Sequence, residues 1–70
     1  MEKLLGLEGT RRQKIIEAGL REFAVRGYDD ASSNVMAKEA GLSKPLMFHY
    51  IGSKKDFYLF LYDYCMNRLK

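Results

Sequence analysis

Residues 40–50, AGLSKPLMFHY, carry the side chains of this 70-residue chain that are best suited to binding a polyanion. A Gly-Leu-Ser turn precedes Lys44 and Pro45, and the aromatic ring of Phe48 and the imidazole of His49 follow one helical turn later. Residues 42–55 include three lysines and the histidine but no aspartate or glutamate. Positive charge is therefore concentrated at this segment, which favours a phosphate-bearing partner.

The other reactive side chains do not form a catalytic or metal-binding set. Cys65 is the only cysteine and His49 the only histidine, so the sequence offers no internal disulfide and no four-ligand zinc site. No general base stands near Cys65 in the sequence, and no Ser-His-Asp set, phosphate-binding loop or pair of catalytic carboxylates can be recognised. We therefore expect no enzymatic activity and no cofactor.

Length and composition indicate one small globular domain. Hydrophobic residues make up 47% of the chain and charged residues 30%, the formal net charge is +3, and the pI is about 9.1. No apolar run is long enough for a secretory signal or a membrane span, and a single cysteine is compatible with a reducing compartment. We expect a cytoplasmic protein that does not contact a membrane.

Hydrophobic spacing and capping residues predict an all-α chain. Residues 1–9 contain two glycines and mixed charges, and we expect a flexible arm there. The first helix is predicted over residues 11–26, with Thr10 as its N-cap and Gly27 as its end. Its apolar residues follow the period of an amphipathic helix and should face the core: Ile16, Leu20, Phe23 and Ala24.

A second, short helix is predicted to run to about residue 40, and either Ser32 or Ser33 can cap it. Gly41 should end it, and the following Leu42 should drop into the core beneath the turn. The helix is expected to bury one face, made of Met36, Ala37 and Ala40.

The third predicted helix covers residues 44–51 and begins after Ser43, its expected N-cap. Pro45 is compatible with the first turn because the N–H that proline lacks would be unpaired there. Met47 and Ile51 are four residues apart and should share the buried side. The side chains expected to face outward are Lys44, Pro45, Phe48 and His49.

A fourth helix is predicted from residue 53 onward, with Ser53 and Asp56 in the spacing of a loose capping box. Its inward residues should be Phe57, Leu61, Tyr64 and Cys65. Four further apolar residues then point elsewhere and need another surface to cover them, namely Tyr58, Leu59, Phe60 and Tyr62.

The second and third helices, joined by a short glycine-containing turn, form a pair of the helix-turn-helix kind. The third helix has an exposed N-terminus, a lysine in its first turn, and an aromatic and an imidazole group one turn later. Such a helix can enter the major groove of DNA and reach base edges and phosphates. We interpret it as a recognition helix.

Residues 11–62 resemble the TetR family of bacterial transcriptional repressors. Four motifs carry the resemblance in order and spacing: Phe-x-x-x-Gly-Tyr, Ala-x-x-Ala-Gly-Leu-Ser, the Phe-His-Tyr close of the third helix, and the Ser-Lys-Lys that follows. The resemblance implies an all-α, homeodomain-like three-helix helix-turn-helix head over residues 10–52. The helix over residues 53–70 would lead toward a C-terminal effector-binding and dimerisation domain that this chain lacks.

The resemblance also implies contacts with operator DNA from the starts of the second and fourth helices and from the third helix. Lys54 should bind a phosphate, with Lys44 reading either a guanine edge or a phosphate. Phe48 stands where the family usually has a phosphate-binding tyrosine, and Leu46 favours contact with a thymine methyl group. The residues carried over are Ser33, Asn34, Lys44, Pro45, Leu46, Phe48, His49, Tyr50 and Lys54. The implied partners are double-stranded DNA, a second copy in a full-length homodimer, and a small-molecule effector bound only through the C-terminal domain.

Other interpretations of the same residues remain open at this point. His49 can be a surface histidine, Tyr50 can belong partly to the core, and Lys54 and Lys55 can be solvated charges at a helix start. The chain as a whole can be a helical protein-interaction module that uses the apolar fourth helix. Attachment to a membrane surface is disfavoured because that helix lacks a basic polar face.

Overall fold

Five helices make up most of residues 2–68, which are the residues that the computed structural model describes. No strand occurs among these residues, so the predicted all-α class is confirmed. The predicted fourth helix extends to residue 68, and the last two residues of its range lie outside the described part. In chain order the helices are α1 (Glu2–Leu5), α2 (Gly9–Asp30), α3 (Ser33–Ala40), α4 (Lys44–Ile51) and α5 (Lys54–Arg68).

The helix α2 begins earlier than the sequence predicts and is interrupted where the sequence predicts its end. Its N-cap is Glu8, whose carboxylate accepts a hydrogen bond from the backbone N–H of Arg11 (3.1 Å), so the choice of Thr10 was wrong. Gly27 has φ 77° and ψ 173°, values outside the helical range. One further turn follows, and the N–H of Ala31 donates to the carbonyl of Gly27 (3.0 Å).

Serine caps fix the beginnings of the three later helices. The Oγ of Ser32 accepts from the N–H of Val35 (3.3 Å), which decides between the two candidate caps of α3. The Oγ of Ser43 accepts from the N–H of Leu46 (3.3 Å), and Ser53 accepts from the N–H of Asp56 (3.1 Å). Each cap satisfies a backbone donor that the helix itself leaves unpaired, worth about 1 kcal/mol.

The core lies where α2, α3, α4 and α5 meet, and Leu4 of α1 also belongs to it. Of the residues predicted to face inward on the three later helices, the structure fully buries Met36, Ala37, Met47, Ile51, Phe57 and Leu61. Leu42, at the turn, is half-buried and packs against this core as expected.

The predicted inward face of α2 is only partly correct. Ala24 was predicted to face the core but is exposed, and the same is true of Cys65 on α5. Ile15 and Ala18 of α2 are buried although they were not predicted to be. The reason is that α2 packs against α3 on one side and α5 on another, which shifts its buried stripe toward its N-terminal half. Ile16 is buried as predicted.

Gly19 allows α2 and α5 to approach closely. A Cβ atom built at this position would overlap the ring of Phe57 and lie 2.8 Å from Cδ1 of Leu61. Glycine lowers helix propensity, so its presence in the middle of α2 is explained by packing. The contact fixes α5 against the head of the molecule.

The N-terminal segment is ordered where the sequence predicts a flexible arm. Residues 2–5 form α1, and the side chain of Leu4 is fully buried in the core. The guanidinium of Arg12 donates to the carbonyl of Leu5 (3.3 Å), which holds the end of α1 against α2. The prediction failed because Leu4 is buried by the packing of α1 against α4, and this packing exists only in the folded chain.

Candidate nucleic-acid interface

The helix-turn-helix pair is built by the connection between α3 and α4. Gly41 ends α3 in the left-handed region (φ 75°, ψ 26°), which a residue with a Cβ adopts at a cost. The N–H of Leu42 then donates to the carbonyl of Ala37 (2.8 Å), closing the turn. Three residues therefore redirect the chain and present the N-terminus of α4 to solvent.

The helix α4 packs against the core on one side and is exposed to solvent on the other. Met47 and Ile51 are 0% and 1% exposed and anchor it to the core, as predicted. Lys44, Pro45 and Leu46 at its start are exposed. These three side chains form an accessible patch at the start of the predicted recognition helix.

The aromatic residue Phe48 of α4 is less accessible than the sequence predicts. Phe48 was expected to face outward but is half-buried and packs against the core, as does Tyr50. The ammonium of Lys44 lies 5.9 Å from the centroid of the Phe48 ring, within range of a cation–π contact. Phe48 therefore supports Lys44 at the exposed end of the helix.

His49 lies toward the opposite end of α4 from Lys44. It is exposed, and its ring meets that of Tyr50 edge-on at 5.2 Å between centroids. Both residues line an open groove shared with three carboxylate side chains, those of Glu2, Asp56 and Asp63. The surroundings of His49 are thus acidic, unlike those of Lys44.

The start of α3 is fixed by a carboxylate that sequence reasoning missed. Glu22 of α2 is 4% exposed, and its Oε2 accepts from the N–H of Ser32 (2.9 Å) and from Nε of Arg26 (3.0 Å). The four-residue spacing of Glu22 and Arg26 could have indicated the ion pair. Nothing local to the sequence indicates the bond to Ser32. This bond orients the α3 start, where Ser33 is half-buried and Asn34 exposed.

Lys54, the predicted phosphate ligand, is engaged within the protein. Its ammonium donates to the carbonyl oxygens of Asp29 (3.2 Å) and Ala31 (3.4 Å) and lies 4.9 Å from the centroid of the Tyr28 ring. These contacts place Lys54 beside the connection that leads to Ser33 and Asn34. The neighbouring Lys55 is exposed.

The predicted site residues thus fall into three groups. Lys44, Pro45 and Leu46 lie together at the start of α4, and His49 and Tyr50 lie at its other end. Ser33, Asn34 and Lys54 lie near the connection of α2 and α3. Phe48 links the first group to the core.

A family model described as bacterial regulatory proteins of the tetR family matches residues 15–60, which include all of α3 and α4. The chain belongs to the TetR family. The resemblance seen in the sequence is therefore confirmed, and so is the helix-turn-helix class of the head. TetR-family proteins are DNA-binding regulators of transcription, and the relatives found carry regulator names.

Three relatives illustrate the match. The HTH-type transcriptional regulator BetI of Agrobacterium fabrum is 36% identical over 55 residues, which are 79% of this chain and 27% of that protein. BetI of Brucella anthropi is 40% identical over 50 residues, 71% of this chain and 26% of its own. The uncharacterised regulator YdgC of Bacillus subtilis is 36% identical over 44 residues, 63% of this chain and 23% of its own. The chain thus spans about a quarter of the length of these TetR-family relatives, and no solved structure matches it significantly.

Among residues 2–68, no group of three or more His, Cys, Asp or Glu side chains is placed to hold a metal ion. No helix in the same range is long and apolar enough to cross a membrane.

Proposed function

We propose that this chain is the DNA-binding head of a transcriptional repressor and that α4 reads the major groove. The observation that carries the proposal is the exposure of Lys44, Pro45 and Leu46 on a helix whose other side is anchored by Met47 and Ile51. A short helix held in this way can enter the groove as a rigid unit. The head has no enzymatic role and needs no cofactor.

The start of α4 supplies the base contacts in this proposal. Lys44 donates to a guanine edge or to a neighbouring phosphate, and Leu46 contacts a thymine methyl group. The half-buried Phe48 has no hydroxyl and contributes by supporting Lys44. His49 and Tyr50 lie further along the same helix and reach the DNA less directly.

The connection of α2 and α3 supplies the phosphate contacts. The exposed Asn34 and the hydroxyl of Ser33 stand at the α3 N-terminus, where backbone N–H groups also favour an anion. An ammonium has three N–H donors, and the backbone carbonyls of Asp29 and Ala31 accept two of those of Lys54. In this proposal the third N–H, which the nearby Tyr28 ring also attracts, turns to a phosphate that approaches Ser33 and Asn34.

A longer protein would complete the regulator. The chain spans about a quarter of its relatives, and α5 leaves a large apolar surface exposed, including Leu59 (54%) and Tyr62 (60%). We propose that α5 continues toward a C-terminal domain that dimerises and binds a small-molecule effector in the cytoplasm, without a membrane partner. Dimerisation would place two recognition helices about 34–36 Å apart, one turn of DNA.

A selection of binding sites from random duplex DNA tests the role of α4. Lys44→Ala and Leu46→Ala should each alter the preferred sequence, because a good base contact contributes about 1–3 kcal/mol of discrimination. Lys3→Ala, which removes an exposed lysine of α1, is the matched control and should leave the preference unchanged. If both α4 variants select the same consensus as the parent chain, α4 is not the reading helix.

The exposed apolar side of α5 favours a second candidate, a protein-interaction module. Salt separates the two functions, because phosphate binding weakens steeply between about 50 and 200 mM salt whereas apolar association does not. A parent chain that shows no salt-dependent binding to duplex DNA but associates with a protein at all salt concentrations would favour the second candidate.

A further inference from the structure

An open groove runs beside the start of α4, between the N-terminal part of α2 and the helix-turn-helix turn. One wall carries the side chains of Arg11 and Lys14, which are three residues apart on α2 and share one face of it. The other wall carries Leu42 of the turn and Leu46 of α4. The groove therefore joins two cations of α2 to the side chain that the proposed function places on a base.

The lining of this groove includes two cations and no acidic residue. Arg11 and Lys14 are exposed, and neither takes part in an ion pair among the described residues. The nearest acids in the sequence form no ion pair with these cations: Glu8 caps α2 by accepting from the backbone N–H of Arg11, and Glu17, which lines a neighbouring groove with Lys14, accepts from the amide of Gln13 (3.4 Å). Both cationic groups are therefore available to an anion.

The groove on the other side of α4 has the opposite character. It is lined by Glu2, Asp56 and Asp63, with Lys3 as its only lysine. The phosphates of a DNA strand that passes α4 are attracted toward Arg11 and Lys14 and repelled by the three carboxylates. The charge distribution thus defines which flank of α4 faces a DNA strand.

We infer that Arg11 and Lys14 form a second phosphate-binding element, which grips the DNA strand flanking the major groove that α4 enters. Leu42 and Leu46 form the apolar wall against which the deoxyribose rings of that strand pack. Arg11 stands in the first turn of α2, where the helix dipole disfavours a cation, and a bound phosphate offsets this cost. The inference rests on the proposed function, since it extends the same interface to α2.

The test measures binding of the chain to a fluorescently labelled duplex of mixed sequence between about 50 and 200 mM salt, where each phosphate contact adds about 0.9 to the log–log slope. Arg11→Ala and Lys14→Ala should each lower the slope by about 0.9, and the double variant by about 1.8. The charge-conserving variants Arg11→Lys and Lys14→Arg should keep the slope of the parent chain. Lys3→Ala, a matched loss of one charge in the acidic groove, should leave the slope unchanged.

Circular dichroism of each variant establishes that the fold is retained, and both positions are exposed and helical, so alanine is tolerated there. A parent chain that binds DNA while the double variant keeps the parental slope overturns the inference and leaves the proposed function intact. If Arg11→Ala and Lys14→Ala change the slope by the same amount as Lys3→Ala, the inference is also overturned, because the total charge of the chain would then explain the change. If the double variant loses binding to polyglutamate but binds DNA as the parent chain does, the inference is overturned and the groove is assigned to an acidic protein instead. A parent that fails to bind DNA refutes the proposed function and the inference together.

Discussion

At the scale of single residues, the proposed interface depends on polar side chains that connect distant parts of the chain. Glu22 and Lys54 both converge on the connection between α2 and α3, one through the N–H of Ser32 and the other through the carbonyl of Ala31. Both side chains are at least partly buried. They position the α3 N-terminus, which the proposed interface presents to phosphate.

Removing the carboxylate of Glu22 should destabilise the fold. Glu22→Ala leaves the N–H of Ser32 without its acceptor and Arg26 without its partner, at a cost of about 2–3 kcal/mol. Glu22→Gln keeps an acceptor for Ser32 and should cost less. Thermal unfolding followed by circular dichroism measures both, with the exposed Glu17→Ala as control. Equal unfolding temperatures for Glu22→Ala and Glu17→Ala would show that the buried carboxylate contributes nothing.

At the scale of helices, the packing of α2 against α5 determines whether the head is rigid. Both Phe57 and Leu61 of α5 are buried, and they reach α2 at Gly19, where the absence of a side chain leaves room for them. The proposed recognition helix α4 packs on α3, α1 and α5, so the α2–α5 contact also supports α4.

Gly19→Ala should destabilise the protein although alanine is the better helix former. The gain in helix propensity is about 1 kcal/mol, whereas forcing a methyl group into a filled site typically costs about 1–3 kcal/mol. Gly9→Ala is the control because a Cβ there meets no atom within 4 Å. Chemical denaturation should give a lower midpoint for Gly19→Ala and an unchanged or higher one for Gly9→Ala. A raised midpoint for Gly19→Ala would mean that α2 and α5 separate readily.

At the scale of the whole molecule, the surface divides into a basic flank beside the start of α4, an acidic groove at its end and an apolar side on α5. In the proposed function, the basic flank faces DNA and the apolar side of α5 is covered by the remainder of a longer chain. A head that spans about a quarter of its relatives should therefore fold alone but lack a tight dimer interface.

Sedimentation of the 70-residue chain at micromolar concentration tests this expectation. We expect a monomer or weak self-association, and Tyr62→Ser should reduce any association because Tyr62 is 60% exposed on the apolar side. Gln13→Ser, at an exposed polar position of α2, serves as control. A tight dimer that Tyr62→Ser does not weaken would show that the head dimerises through another surface.

The sequence by itself determined the features that depend on neighbours along the chain. Ser32 and Ser43 cap helices through bonds to residues three positions away, and Gly41 ends α3 through its own backbone conformation. Met47 and Ile51 share a face because of helical periodicity alone. These local rules predicted the helix-turn-helix pair and the buried side of α4, but they wrongly placed Phe48, which is half-buried, on the exposed side.

Only the tertiary structure decided how distant residues meet. The bond from Ser32 to Glu22 joins residues 10 apart, and that from Lys54 to Asp29 joins residues 25 apart. Leu4 is buried because α1 folds back onto α4, and the cations of α2 line one groove with Leu46 only because the folded chain brings α2 beside the turn. Periodicity assigns a residue to a face of its own helix, but the neighbour that covers this face is set by the relative positions of all the helices in the folded chain.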